Sequence, residues 1–119
     1  MRRAFPASKY RNKKTVIDGL TFDSKGEACW YQTLKQLERI GEISNLRRQV
    51  PFVLAPAVKI KGETRARPAV RYFADFVYEE NGQEVVDDFK STATAKLSTF
   101  RLKQHLMKTV HGIDIRVKK

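Results

Sequence analysis

The sequence is poor in cysteine and lacks a long apolar run. Its one cysteine, Cys29, excludes an internal disulfide framework and a cysteine-rich zinc site, and it favours a reducing, intracellular compartment. The longest uncharged apolar stretch, residues 50–58, contains two prolines and is far shorter than the roughly 20 residues that cross a bilayer. Met1-Arg2-Arg3 is followed by more basic residues rather than by the apolar core of a signal peptide. We therefore expect a cytoplasmic protein with no membrane partner.

Acidic residues are also outnumbered. The chain has 24 Lys and Arg against 13 Asp and Glu, which gives a formal charge of +11. The basic residues concentrate in residues 1–14, 47–71 and 91–119, whereas residues 72–90 form an acidic segment. A basic excess of this size predicts a polyanionic partner, most simply a nucleic acid bound through its phosphates. A protein that only coats DNA would not need the acidic segment.

A chain of 119 residues is long enough for one domain, and we assign it to residues 15–119 behind a flexible basic arm, residues 1–14. A hairpin turn at Asp18-Gly19 precedes a helix that opens at Ser24 and stops at Gly41. A strand at 46–54, a loop or exposed ribbon at 55–69, and strands at 70–79 and 84–90 follow. Residues 95–110 predict a second helix, and residues 113–117 predict a last strand. The predicted order is helix, three strands, helix, strand.

The Asn81-Gly82 turn predicts the pairing of the two strands that flank it. In that register Asp75 lies directly opposite Asp88, and Lys90 shares their face of the sheet. Opposed residues have Cβ atoms about 4.5–5.5 Å apart, so the two carboxylates need a cation between them, and Mg²⁺ is a natural one. A bulge of one residue would break this pairing.

Two neighbouring acids have alternative interpretations. Glu27 either closes a capping box with Ser24 or supplies a third carboxylate beside Asp75. Asp87 points to the opposite face from Asp88, together with Tyr72 and Phe76, and we interpret it as structural unless the register slips.

These residues resemble the signature of the PD-(D/E)XK nucleases. The segment Arg-Tyr-Phe-Ala-Asp at 71–75 and the segment Asp-Asp-Phe-Lys at 87–90 place an acid on one strand and acid-x-Lys on the next. Residues 9–15 and 22–28 further resemble a family of short phage and prophage proteins assigned to that superfamily, and the likeness extends from Lys9 to Gly112. The chain departs from the pattern at Ala74, where the superfamily name has proline, and at Lys108, where exonuclease-like relatives have tyrosine.

The resemblance implies an α/β (α+β) fold of restriction-endonuclease type, with a mixed sheet flanked by helices. It implies that Asp75 and Asp88 bind Mg²⁺, or Mn²⁺ in its place, with the Phe89 carbonyl as an additional ligand. Glu27 would act through water or help to hold a second ion, and Lys90 would position or deprotonate the attacking water. The products would carry a 5′-phosphate and a 3′-hydroxyl.

We therefore expect a Mg²⁺-dependent DNA endonuclease that selects branched DNA, as a phage junction resolvase does in recombination or replication. It would act in the host cytoplasm if phage-encoded, and cutting both strands would favour a homodimer. The alternatives are a non-catalytic nucleic-acid-binding protein and an RNA-directed nuclease of the same fold. The basic residues expected to contact DNA are Lys9, Arg11, Lys13, Lys14, Arg47, Arg48, Lys96, Arg101 and Lys103, with Gln49 beside them.

Overall fold

A computed structural model describes residues 14–118, and all but the last residue of the predicted basic arm lies outside this range. The elements are β1 Thr15–Ile17, β2 Leu20–Phe22, α1 Lys25–Arg39, β3 Ser44–Ala55, β4 Val70–Glu80, β5 Gln83–Phe89, α2 Thr92–Ala95, α3 Ser98–His111 and β6 Arg116–Lys118. β1 and β2 pair with each other, and the remaining strands form a four-stranded sheet in the order β3-β4-β5-β6. Because β6 runs parallel to β5 while the other pairs are antiparallel, the sheet is mixed, as predicted.

The first helix starts where the capping signal predicts, whereas the second is interrupted. The backbone N–H of Glu27 donates to Ser24 Oγ over 3.1 Å and so satisfies one free donor at the start of α1. The predicted continuous helix at 95–110 is wrong, because Leu97 is extended and separates the single turn of α2 from α3. No helix within residues 14–118 is long and apolar enough to cross a membrane.

The sheet has a separate apolar core on each face. Helix α1 covers one face, where its Tyr31 and Leu34 pack against Phe76 of β4. Helix α3 covers the other face, where its Phe100 and Met107 belong to a second cluster. The partners of α3 in that cluster include Leu54, Tyr72, Ala74, Val77 and Val86. This arrangement leaves the end of β5 between the start of α1 and the start of α2.

Strands β3 and β4 both change the face to which their even-numbered residues point. In β3, Leu46 packs on the α1 side, whereas Val50 packs on the α3 side. The residue between the two halves, Gln49, has φ +52°, which lies in the left-handed region that residues other than glycine seldom adopt. The left-handed residue therefore rotates the strand and interrupts its alternation.

The same switch occurs in β4 at Asp75. Phe76 packs on the α1 side and Ala74 on the α3 side, although an uninterrupted strand would turn both to one face. The prediction that Tyr72 shares a face with Phe76 is wrong for this reason, and Tyr72 lies on the α3 side. The pairing of β3 with β4 has the same register before and after the switch.

The predicted hairpin register is confirmed. Five pairs run from Glu80↔Gln83 at the turn to Phe76↔Asp87, and Asn81 has the positive φ that a tight hairpin turn requires. Continuing this register brings Asp75 level with Asp88, one step beyond the last backbone pair. The candidate acids therefore lie where the β4–β5 ladder ends.

Gly26 in the first turn of α1 fixes how closely the helix approaches β5. A Cβ at this position would lie 2.4 Å from Cζ of Phe89, well inside van der Waals contact. We expect Gly26→Ala to lower the free energy of unfolding by about 1–2 kcal/mol, because the ring must move. Glycine to alanine in a helix usually raises stability by about 0.5–1 kcal/mol, so the sign is reversed here.

Urea unfolding of the two proteins measures this difference. The double variant Gly26→Ala/Phe89→Leu serves as the control, because the smaller side chain should recover part of the loss. A Gly26→Ala protein more stable than the wild type would contradict the close packing.

Candidate active site

The acids meet in a cavity at the end of β5, beside the first turn of α1. It has a volume of about 580 Å³, and Glu27, Asp75 and Lys90 are among its lining residues. The other lining residues are Asp23, Ser24, Lys25, Gly26, Phe89, Ser91, Thr92 and Thr94. The structure therefore brings an acid from α1, an acid from β4 and the lysine that follows β5 to one opening.

Asp75 is held by contacts from both neighbouring strands. Its Oδ1 accepts from Gln49 Nε2 over 3.3 Å, and its Oδ2 accepts from the backbone N–H of Phe89 over 2.9 Å. The carboxylate thus takes the place of a main-chain acceptor where the ladder ends. Burial and then the neighbouring Asp88 raise the pKa of Asp75 to about 7, while the Phe89 N–H and Lys90 act in the opposite direction.

Asp88 is almost fully buried and has unused acceptor capacity. It is 1% exposed, and neither carboxylate oxygen has a hydrogen-bond partner within the described part of the chain. Lys90 Nζ lies 3.1 Å from Oδ2 as an ion pair, without the geometry of a hydrogen bond, and also over the ring of Phe100. The hydroxyl of Tyr72 is likewise buried and unpaired, and burial followed by the proximity of Asp88 raises its pKa. A buried carboxylate with free lone pairs is costly unless a cation meets it.

Glu27 belongs to the cap of α1 through its backbone, and its side chain lines the cavity. Its backbone N–H joins the cap with Ser24, while its side chain, in a residue only 4% exposed, lies within the influence of Asp75. Burial first, and then the charge of Asp75, raises the pKa of Glu27 to about 7. The proximity of two acids with raised pKa values indicates that negative charge accumulates here.

The residues fit a divalent cation through a small set of ligands. No three His, Cys, Asp or Glu side chains within residues 14–118 converge closely enough to surround one ion. Asp75 and Asp88 are two neighbouring carboxylates that could bind such an ion, and Glu27 lies near Asp75. The Phe89 carbonyl belongs to the same strand edge as its N–H, which faces Asp75. An all-oxygen donor set with excess negative charge suits a hard cation such as Mg²⁺.

Asp87 is turned away from these acids and lies in a separate buried network. Its carboxylate accepts from Trp30 Nε1 over 3.1 Å, from the Tyr78 hydroxyl over 2.7 Å and from Arg116 Nε over 2.8 Å. Arg116 also contacts the Tyr78 hydroxyl. These contacts support the structural interpretation of Asp87 and tie α1, β4, β5 and β6 together directly beneath Asp88.

Two contacts, one in the site and one in the network beside it, could not be inferred from the sequence. Gln49, expected to contact DNA, donates to Asp75 from a backbone position with φ +52°. Arg116, which binds Asp87, gives no local signal because it stands in an alternating strand pattern as an ordinary outward residue. Both contacts depend on long-range packing.

The predicted DNA-contacting residues lie in different surroundings. Lys9, Arg11 and Lys13 lie outside the described residues. Lys14 pairs with Asp23 at 3.0 Å on the exposed surface. Lys96 and Arg101 are exposed, and Lys103 is half-buried beside Lys90.

The two arginines of β3 contact other parts of the protein. Arg47 Nη2 lies 3.3 Å from a carboxylate oxygen of Glu84. The guanidinium of Arg48 lies 4.3 Å from the centre of the Phe22 ring and donates to the Thr21 carbonyl. Contact of any of these residues with DNA stays a prediction.

The fold and the site define an α+β protein with a mixed four-stranded sheet and an acid-lined cavity at a strand end. Residues 7–117 match the family described as "Protein of unknown function (DUF1064)", and the chain belongs to that family. No curated protein and no solved structure matches the chain.

The neighbouring acids Asp87 and Asp88 should differ in their response to substitution by asparagine. Asp87→Asn should lower the free energy of unfolding by about 3 kcal/mol, because it removes the charge that Trp30, Tyr78 and Arg116 share. Asp88→Asn should lower it by less than about 1 kcal/mol, since the loss of the ion pair with the partly exposed Lys90 is offset when the repulsion with Asp75 disappears. Urea unfolding at pH 8 in EDTA measures both, and equal losses would contradict the separation of the two roles.

Without a cation, the protein should lose stability as the pH rises from about 5 to 8. Glu27 and Asp75 have folded pKa values of about 7, above their ordinary values of 4.5 and 3.8, so the folded state binds more protons in this window. The free energy of unfolding therefore falls as the pH rises, by roughly 3 kcal/mol for each carboxyl taken alone. Unfolding in EDTA across this range measures the slope.

Glu27→Gln should flatten that slope, whereas Glu42→Gln, at an exposed position after α1, should leave it unchanged. Millimolar Mg²⁺ should also flatten the slope in the wild type, because a bound cation favours the ionised carboxylates. A stability that rises over the same window in EDTA would contradict the raised pKa values.

Proposed function

We propose that the protein is a Mg²⁺-dependent DNA endonuclease of the PD-(D/E)XK type. The observation that carries the proposal is the buried Asp88, which forms an ion pair with Lys90 and lies near Asp75, while Asp75, Lys90 and Glu27 line the cavity. Buried groups of this kind are expensive for stability and cluster at sites with a function. The sequence resemblance supplies the chemistry that fits them.

Each residue has a role that its surroundings support. Asp75 and Asp88 hold Mg²⁺, or Mn²⁺ in its place, with the Phe89 carbonyl as a further ligand and Glu27 acting through water or on a second ion. The bound ion supplies charge neutralisation at the phosphate and lowers the pKa of a water. Gln49 and the Phe89 N–H fix the orientation of Asp75 and so reduce the freedom of the ligand before the ion binds.

Lys90 is the group that handles the attacking water. It lines the cavity, and its ammonium is anchored between Asp88 and the Phe100 ring, which limits its motion. From there the ammonium orients the water and stabilises the negative charge that develops on the phosphate oxygens, while the proton that the water loses ends on O3′. The water oxygen bonds to phosphorus, the bond to O3′ breaks, and a 5′-phosphate and a 3′-hydroxyl result.

Branched DNA is the substrate that the chain favours. A charge of +11 supports contact with many phosphates, and phosphate contacts carry no information about base sequence. Recognition by shape suits such a protein, as in junction resolution during phage recombination or replication in the host cytoplasm. Cleavage of both strands of a junction would require two sites and thus favours a homodimer.

The competing proposal, a non-catalytic nucleic-acid-binding protein, requires the acidic hairpin to be a solvated surface. Asp75, Asp87 and Asp88 are each at most 8% exposed, which argues against that requirement. An RNA-directed nuclease of the same fold would use the same residues, and only the substrate distinguishes it.

Cleavage assays test the proposal. Purified protein is incubated with supercoiled plasmid, linear duplex, a four-way DNA junction and a structured RNA, in Mg²⁺ and in EDTA. We expect metal-dependent cutting, with the junction cut fastest, and a loss of at least about 100-fold in Lys90→Ala and in Asp75→Asn, because each group acts at the reacting phosphate.

Lys35→Ala on the outer surface of α1 is the matched control for the lost lysine, and it should cut as the wild type does. Thermal melting establishes that each variant is folded. Metal-dependent cutting that survives both Lys90→Ala and Asp75→Asn would refute the assigned site, and binding without cutting in any metal would refute the enzyme.

A further inference from the structure

The hairpin of β3 and β4 continues beyond the sheet as a projecting segment, residues 56–69, which we call the ribbon. Val58 and Arg67 pair across it through both backbone bonds, at 3.1 Å and 2.7 Å. Residues 56–68 are exposed, apart from the half-buried Glu63. The ribbon is therefore an ordered two-stranded arm that packs on no other element.

The ribbon carries positive charge that the protein itself does not neutralise. Glu63 is paired with Arg67, whose Nε and Nη2 donate to its two carboxylate oxygens over 3.1 Å and 2.6 Å. Lys59, Lys61 and Arg65 have no acidic partner anywhere in residues 14–118. Three unpaired cations on one thin arm favour a polyanion over an apolar protein surface.

The ribbon extends from the same end of the sheet at which β5 stops beside the cavity. β5 ends at Phe89, which lies level with Ala74 in the hairpin register, whereas β3 and β4 continue past this level toward the ribbon. Arg65 is ten residues from Asp75 along the chain, which corresponds to at most about 33 Å of extended strand. This maximum length equals about 10 base pairs of B-form DNA at 3.4 Å each.

We infer that the ribbon is a second DNA-binding element, which contacts a duplex arm about 8–10 base pairs from the phosphate at the acids. The inference rests on the proposed function for the nature of the substrate. A two-stranded ribbon has the width that the major groove admits, so its cations reach the phosphates on either side. The contact increases the affinity for DNA and fixes the orientation of one duplex arm of the junction. It does not take part in the chemical step.

The test compares two triple variants that lose the same charge. The ribbon variant is Lys59→Ala/Lys61→Ala/Arg65→Ala, and the control is Lys35→Ala/Arg39→Ala/Lys108→Ala on the surfaces of α1 and α3. Binding is measured by fluorescence anisotropy in EDTA at 50–200 mM KCl, on four-way junctions whose hairpin-capped arms are 6 or 20 base pairs long. Cleavage of the same junctions is measured in Mg²⁺ at saturating protein.

On 20-base-pair arms we expect the ribbon variant to bind at least about tenfold more weakly at 100 mM salt, with a salt slope reduced by about 2–3. The control variant should lose less than threefold. On 6-base-pair arms the ribbon and control variants should bind alike, because the ribbon extends past the end of the arm. The cleavage rate at saturation should be unchanged in both.

Equal losses in the two variants on long arms, or an equal ribbon effect on short arms, would overturn the inference. The proposed function fails separately: a wild type that binds long arms through the ribbon but never cuts would refute the nuclease and leave the ribbon contact standing. A wild type that cuts junctions with no ribbon effect would do the reverse, and no binding to any DNA would refute both.

Discussion

The structure around the cavity depends on the burial of several acids with few cations to balance them. Glu27, Asp75 and Asp88 are all under one-tenth exposed, and Lys90 is the ammonium that contacts Asp88. A buried carboxylate without a partner is costly, and its replacement by an apolar residue ordinarily increases the stability of the folded protein. The fold instead holds Asp75 with hydrogen bonds from Gln49 and the Phe89 N–H, and it keeps Asp88 buried beside Lys90.

The switch of faces at Gln49 and Asp75 explains how one sheet carries helices on both sides and acids at its end. If β4 alternated without interruption, either Phe76 or Ala74 would leave its core. The switch lets both remain buried and leaves Asp75 out of the backbone pairing, free to accept from Phe89. The strained position thus coincides with the candidate site, as backbone outliers commonly do in proteins.

The elements and the hairpin register could be predicted because their signals are local. Asn81-Gly82 fixes the pairing of β4 with β5, and Ser24 fixes the start of α1, each within a few residues. The left-handed Gln49 could not be predicted, since its conformation is imposed by packing on two faces. The bond of Arg116 to Asp87 joins residues 29 apart in the chain, and no pattern of neighbours announces such a contact.

The network around Asp87 depends on the last strand of the sheet. Trp30, Tyr78 and Arg116 come from well-separated parts of the sequence, and Arg116 belongs to β6, which pairs in parallel with β5. Long-range pairing of this kind forms slowly compared with helices and hairpins. The network around Asp87 is therefore complete only when β6 is paired with β5, and residues 14–89 alone lack one of its three donors.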